Sequence, residues 1–237
     1  MLLTGGASGI GFAFAKRFLA EGNEVIICGR REDKLREAHE AHPSLHTRVC
    51  DVADPEQRKQ LAAWAIKAFP KLDILVNNAG IQQWLSLNDE IDWSSCHNEI
   101  AINLEAPIHL SMLLLPHLRK QLEPAIINIS SGLAYVPLAA TPVYSATKAA
   151  IGSFTLSLRR QLAATPIEVI EIAPPAVNTD LGGPGLHAWA MPLDEFADAA
   201  FAQLRAGSIE VSYGFSEEAI HGSYEDRRRI FDRMNNR

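Results

Sequence analysis

The chain opens on Met1-Leu2-Leu3-Thr4-Gly5-Gly6-Ala7-Ser8-Gly9-Ile10-Gly11, an apolar strand running into a glycine-rich turn and then into an amphipathic helix from Phe12 to Ala20. This opening constrains the fold more than any other stretch. Glycines permit φ > 0 and let the backbone approach a pyrophosphate, and the helix that follows offers free N–H groups and a positive dipole end. Gly5, Gly9 and Gly11 are therefore candidate phosphate-binding positions, in the strand–turn–helix context such a turn requires. Their spacing is G-x-x-x-G-x-G, not the commoner G-x-G-x-x-G, and many strand–helix turns carry a lone glycine cluster. The strand has three residues ahead of Thr4, short against a usual five or six.

The same alternation continues to the end of the chain. Strand-like runs lie at 23–28, 45–50, 72–76, 125–129, 167–173 and 208–212. Helical patterns fill 32–42, 55–69 (with Leu61, Trp64, Ile66 and Phe69 as core candidates), 91–121 with interruptions near Pro107 and Pro116, and 193–205. Right-handed crossovers between such strands give an α/β fold, a parallel sheet with helices on both faces. With no linker, repeat or low-complexity block, residues 1–237 are expected to form one domain. A glycine- and proline-containing segment at 181–191 is expected to be a substrate loop, and 213–237 a polar C-terminal extension.

Charge and cysteine content exclude several classes. A formal net charge of -6 and a pI near 5.8 argue against nucleic acid as a partner. No apolar run approaches the roughly 18 residues needed to cross a bilayer, and no leader pattern opens the chain, so the expected location is cytoplasmic with no membrane partner. Cys28, Cys50 and Cys96 are too few and scattered for a disulfide framework. His39, His42 and His46 straddle Pro43 without a cysteine or paired carboxylate at ligand spacing, so no metal is expected.

The chemistry points to Tyr144-Ser-Ala-Thr-Lys148, with Ser131 upstream. Residues four apart on a helix share a face, about 5–6 Å between Cβ atoms. An ammonium so placed can lower a phenol pKa from about 10 toward working pH, and a tyrosine so tuned can exchange a proton with an alcohol or carbonyl oxygen. An isolated Y-x-x-x-K is more often an exposed lysine beside a half-buried tyrosine. Pro142 suits the helix start and Arg159-Arg160 its last turns. Phe154, Leu156, Leu158 and Leu162 make the helix apolar on more than one side, so it is expected to be largely buried. Asp51, at a strand end, could hydrogen-bond an adenine amino group, while Asp54-Pro55 looks like a helix cap. After the strand at 23–28 comes Gly29-Arg30-Arg31 with no carboxylate. An acidic residue there would bind the ribose 2′-hydroxyl of NAD, and an arginine suits the 2′-phosphate of NADP. The expected cofactor is NADP with Arg30 the better-placed contact; the alternatives are NAD, or a solvated helix start.

Thr4 to Gly11, Asn77-Asn78-Ala79-Gly80, Ser131 and Tyr144-x-x-x-Lys148 together resemble the short-chain dehydrogenase/reductase family, in the family's order and over nearly the whole chain. The resemblance implies a single-domain doubly wound Rossmann fold with a sheet of about seven strands in the order 3-2-1-4-5-6-7. It also implies a nicotinamide cofactor. In family terms Tyr144 is the acid/base, Lys148 binds the nicotinamide ribose, Ser131 orients the substrate oxygen and Asn103 holds a water in a proton relay. Ser8 and Ile10 match pyrophosphate contacts, Asp51 and Val52 the adenine site, and Asn78 and Gly80 the adenosine half. Pro174, Val177 and Thr179 match the nicotinamide side. Pro174-Pro175 replaces the family's usual Pro-Gly, which removes a backbone N–H. The run Pro174 to Asp180 resembles a subgroup found beside D-alanylation genes in bacteria.

The implied reaction is hydride transfer between NADP(H) and a small-molecule carbonyl or secondary alcohol, in a homodimer or homotetramer. Its rivals are an NAD(H) enzyme of the same fold and a non-catalytic nucleotide sensor. Trp84 and Trp189 are available to a moderately apolar substrate pocket.

Overall fold

The computed structural model describes residues 1–236. Seven parallel strands form one sheet in the order β3-β2-β1-β4-β5-β6-β7. They are β1 (Leu2–Thr4), β2 (Ile26–Gly29), β3 (His46–Val49), β4 (Ile74–Asn77), β5 (Ala125–Ile129), β6 (Glu168–Ala173) and β7 (Glu210–Ser212). The fold class and strand order expected from the family resemblance are met. Strand order reverses between β1 and β4, whose pairing opens with Leu2 beside Leu75. In such sheets a ligand crevice forms outside the carboxyl ends of the strands at that reversal.

β1 needs only its three residues because Leu2 and Leu3 are fully buried and paired on both sides, to β2 and to β4. Ile26, Ile27 and Cys28 of β2 are equally buried, as a continuous apolar run in a parallel sheet predicts. β3 is the edge strand, and three of its four residues are exposed.

Helices cover both faces. One core packs α1 (Gly9–Ala20) and α7 (Leu193–Arg205) on the sheet, with Phe14 edge-on to Phe201 at 5.5 Å between ring centroids. On the other face Leu61 of α3 (Pro55–Ala68), Leu110 and Leu114 of α5 (Ala106–Leu118) and Leu158 of α6 (Pro142–Leu162) pack together. Trp64, Ile66 and Phe69 lie only partly buried at its margin. The remaining helices are α2 (Glu32–Ala41), α4 (Trp93–Ile100), α8 (Phe215–His221) and α9 (Tyr224–Asn235).

Two expectations are corrected. Neither proline interrupts the 91–121 segment: Pro107 sits in the first turn of α5 and Pro116 inside it. The interruption is a π-helical turn, Ala101–Glu105, between α4 and α5. A proline in a first turn lacks only an N–H that would be unpaired anyway, whereas a π-turn adds one residue to the ladder. Nor is α6 buried all round. Tyr144, Lys148, Ile151, Gly152, Thr155, Leu158 and Leu162 face inward, while Leu156 is 53% exposed on the opposite side.

The C-terminal segment folds back rather than trailing away. Val136, Ala219 and Ile230 form a small third core, and Asn235 accepts the Ala139 N–H at 2.6 Å and donates to the Pro137 carbonyl at 3.2 Å. Arg237, the last residue of the expected extension, lies outside the described residues.

Candidate active site

The glycine turn is braced from the far side of the sheet reversal. Gly5 (φ +66°) and Gly9 (φ +53°) hold left-handed backbone that few other residues tolerate. The Asn78 side chain donates to the carbonyls of Thr4 (2.9 Å) and Gly5 (3.2 Å). In return the Thr4 hydroxyl accepts the N–H groups of Asn78 and Ala79, both at 3.0 Å. Asn78 is thus a strut between two loops, its amide donors already engaged. A Cβ on Gly11 would stand 2.4 Å from both the Gly5 carbonyl oxygen and Asn78 Nδ2, so that position admits only glycine.

Helix α1 begins inside this turn, and its first internal bond runs from Phe12 N–H to the Ser8 carbonyl at 3.1 Å. The N–H groups of Gly9, Ile10 and Gly11 come ahead of that bond and face outward as an anion cradle. Ser8 does not cap the helix with its side chain; its hydroxyl accepts Arg31 Nη2 at 2.8 Å. The structure therefore brings Arg31, not the favoured Arg30, onto the glycine turn. Arg30 is exposed at the end of β2. Thr179 lies across the same turn, its methyl 3.5 Å from where a Gly9 Cβ would be. Glycines of left-handed φ and free helix-end N–H groups fit the diphosphate of a dinucleotide.

Asp51 and Val52 follow β3. Val52 is buried in the core, and Asp51 Oδ1 accepts the Ala53 N–H at 3.0 Å while its own N–H donates to Gln57 Oε1. Pro174 is buried and its carbonyl accepts the Gly132 N–H at 3.0 Å, which ties the end of β6 to the turn after β5. Val177 bridges to Met191, and Asn178 N–H and Met191 N–H donate across the same junction to Met191 and Ala176 carbonyls at 2.8 and 3.2 Å. The 181–191 loop is closed at that neck. Gly182, within it, approaches the Gln82 backbone and Trp84 Nε1, each within 3.4 Å of its would-be Cβ.

At the carboxyl ends of β4 and β5 four polar residues meet. Ser131 opens a short 3₁₀ turn, Gly132–Ala134, with its hydroxyl accepting the Leu133 N–H at 3.1 Å. Tyr144 lies in the first turns of α6, 6% exposed, within hydrogen-bond reach of Ser131. Lys148 lies one turn on, 4% exposed, with Nζ 5.5 Å from the Tyr144 ring centroid and donating to the Ile129 carbonyl at 2.8 Å. Asn103 comes from the π-turn and is 1% exposed. It grips Ile81, and its Nδ2 also reaches Thr147 Oγ1 at 3.2 Å. A Cβ on Gly80 would stand 3.4 Å from Asn103 Oδ1 and 3.7 Å from Lys148 Nζ, so the loop, the amide and the ammonium share one small space.

Burial dominates the electrostatics of the pair. Burial pushes the Tyr144 phenol well above its usual range, the Ser131 hydrogen bond pulls it back and the Glu99 carboxylate raises it further. The Lys148 ammonium donates to the Ile129 carbonyl and is itself brought down to about 8 by burial, against the pull of Glu99. Desolvation of both groups outweighs their attraction.

Two acidic residues at the site were absent from the sequence reading. Glu99 is fully buried on α4, one turn before Asn103. Glu171 on β6 accepts the hydroxyls of Ser130 (2.5 Å) and Tyr135 (3.2 Å). A Glu in an apolar strand, Glu-Val-Ile-Glu-Ile-Ala, was the available signal for Glu171. The histidines serve other contacts: His39 Nδ1 meets the Leu45 carbonyl, His46 pairs with Glu24, and His42 lies edge-on to Phe12.

A family profile described as short chain dehydrogenase matches residues 1–186. The uncharacterized oxidoreductase DltE of Bacillus subtilis (strain 168) is 46% identical over 241 residues, covering 99% of this chain and 96% of that protein. A short-chain dehydrogenase from Streptomyces avermitilis superposes with a TM-score of 0.84 at 25% identity, covering 98% of this chain and 95% of the other. One from Burkholderia cenocepacia J2315, crystallised with NADP, gives 0.83 at 26% identity with the same coverage. Sheet order, the succession of motifs and these alignments converge: the chain belongs to the short-chain dehydrogenase/reductase family of nicotinamide-dependent oxidoreductases.

Proposed function

We propose that the protein transfers hydride between NADP(H) and a small carbonyl or secondary alcohol, with Tyr144 as the acid/base. The observation that carries this reading is the meeting of Ser131, Tyr144 and Lys148 at the strand ends beside the glycine turn. Bound in that crevice, the nicotinamide supplies or accepts the hydride. The Ser131 hydroxyl fixes the substrate oxygen, and Tyr144 Oη gives it a proton in reduction or takes one in oxidation. The phenol holds its proton at neutral pH and releases it only to the developing alkoxide, which is a stronger base than phenolate. The Lys148 ammonium balances the phenolate left behind and is placed to meet a ribose hydroxyl. Asn103 holds the 81–83 segment against these groups, while Pro174, Val177 and Thr179 border the nicotinamide side and Asp51, Val52 and Gly80 the adenosine side.

Preference for NADP over NAD is supported by Arg30-Arg31 in a turn, Gly29 to Arg31, that carries no carboxylate, by Arg31 lying on the glycine turn through Ser8, and by NADP in the Burkholderia relative. Exposed Met112 on α5 and Leu156 on α6 support self-association as a homodimer or homotetramer. The deciding experiment pairs fluorescence titration of NADPH and NADH with a carbonyl and alcohol panel. Tight NADPH binding with turnover of a carbonyl is expected; nucleotide binding without turnover of any panel member, or no binding, overturns the reading.

A further inference from the structure

Glu99 is a buried carboxylate that the reaction as described does not use. Its Oε1 accepts the Gln83 N–H at 3.0 Å, and Oε2, equally buried, has no hydrogen-bond partner among the described residues. Glu99 and Asn103 are one turn apart, and together they hold alternate residues of one segment, Gln83 and Ile81. Gly80, which begins that segment, is where Lys148 Nζ and Asn103 Oδ1 converge. Among the described residues Lys148 in turn makes one hydrogen bond, to Ile129, of the three an ammonium can donate. A carboxylate with one oxygen unpaired and an ammonium with one donor engaged thus lie against the same short segment in a water-poor site, where charges act strongly on each other.

We propose that Glu99 is a positioning residue of the reaction, its carboxylate acting by charge on the Tyr144–Lys148 pair across the 80–83 segment. The inference rests on the reading of Tyr144 as acid/base. The Gln83 N–H from the loop meets Glu99 directly, and Lys148 and Tyr144 from α6 both respond to its charge, in the same direction. A negative charge there favours the ammonium of Lys148 and disfavours the phenolate of Tyr144. It therefore keeps both protons on, which is the state a carbonyl reductase needs at the start of its cycle. Burial brings Glu99 itself up to about 7, so the support strengthens as pH rises toward the range in which Lys148 would lose its proton.

Glu99→Gln tests this, because a glutamine carbonyl can still accept the Gln83 N–H while the charge is gone. Isotope-labelled lysine NMR of the nucleotide-free protein, with Lys148→Met to identify the signal, reads the Lys148 titration directly. The midpoint is expected near 8 in the wild type and about one pH unit lower in Glu99→Gln. The alkaline limb of kcat/KM for NADPH-dependent reduction of a carbonyl from the panel should move down with it. An unchanged midpoint in folded Glu99→Gln overturns the inference. Should that variant not fold, the reciprocal measurement serves: the Glu99 carboxyl in Lys148→Met should titrate above its wild-type midpoint, and an unmoved carboxyl overturns it equally. Tyr144→Phe separates the two levels. If it keeps its turnover the acid/base reading fails; if it is inactive while the Glu99→Gln profile is that of the wild type, only the role of Glu99 fails.

Discussion

Asn103 holds Ile81 by both of its backbone groups: Oδ1 accepts the N–H at 2.9 Å and Nδ2 donates to the carbonyl at 2.8 Å. The π-turn makes this possible by turning a mid-helix side chain inward onto a neighbouring loop. Asn103→Ala leaves two part-buried backbone groups unpaired, at a cost of about 1–3 kcal/mol. For a chain of this size that is a Tm lower by roughly 3–10 °C in calorimetry, accompanied by a fall in kcat larger than the change in NADPH affinity.

Tyr144→Phe removes one oxygen from a buried site and should lower kcat by about 10²–10⁴-fold, the usual range for a general acid. The dissociation constant for NADPH should stay within about twofold. Steady-state rates beside a binding titration check both halves, and a variant with most of its activity ends the assignment.

Arg31, in contact with Ser8 of the glycine turn, is expected to matter more than Arg30. Arg31→Ala should weaken NADPH binding about tenfold, or 1.4 kcal/mol, with NADH binding unchanged. Arg30→Ala should change either affinity by less than about threefold. Equal losses from the two variants would contradict the placement.

The two buried ions of the site leave opposite marks on stability. Glu99 in the folded chain titrates at about 7 against an ordinary 4.5, so between those values the folded state binds more protons and stability falls as pH rises. Lys148 titrates at about 8 against 10.5, so in that window the unfolded state binds more protons and stability rises with pH. Denaturant midpoints measured from pH 4.5 to 10.5 should show a flatter lower arm in Glu99→Gln and a flatter upper arm in Lys148→Met.

Gly11→Ala places a Cβ 2.4 Å from Asn78 Nδ2 and the Gly5 carbonyl. The Asn78 strut must give way, so both cofactor affinity and thermal stability should fall. Urea titration and NADPH binding would register a failure of this expectation as two unchanged values.

Much of this was legible in the sequence, for stated reasons. Tyr144 and Lys148 follow from helix spacing, the glycine turn from its strand–turn–helix context, and the sheet from strict alternation. Asn103 was available only through the family resemblance, because a mid-helix asparagine usually marks a surface or a kink and nothing local announces a π-turn. Glu99 was illegible: in Cys-His-Asn-Glu-Ile it looks like any solvated helix position, and only packing against Gln83 buries it. The choice between Arg30 and Arg31 turned on the path of one peptide after β2. The spacing of Tyr144 and Lys148 reports their proximity and says nothing of their desolvation.

The Val177–Met191 junction brings the two ends of a glycine-rich excursion together on the rim of the sheet. Lengthening a tethered excursion adds little entropy, about 0.6 kcal/mol per doubling. Residues 181–190 between those ends can therefore change in length at little cost, and transplanting them from a relative should alter which molecules are turned over while NADPH affinity stays as it is.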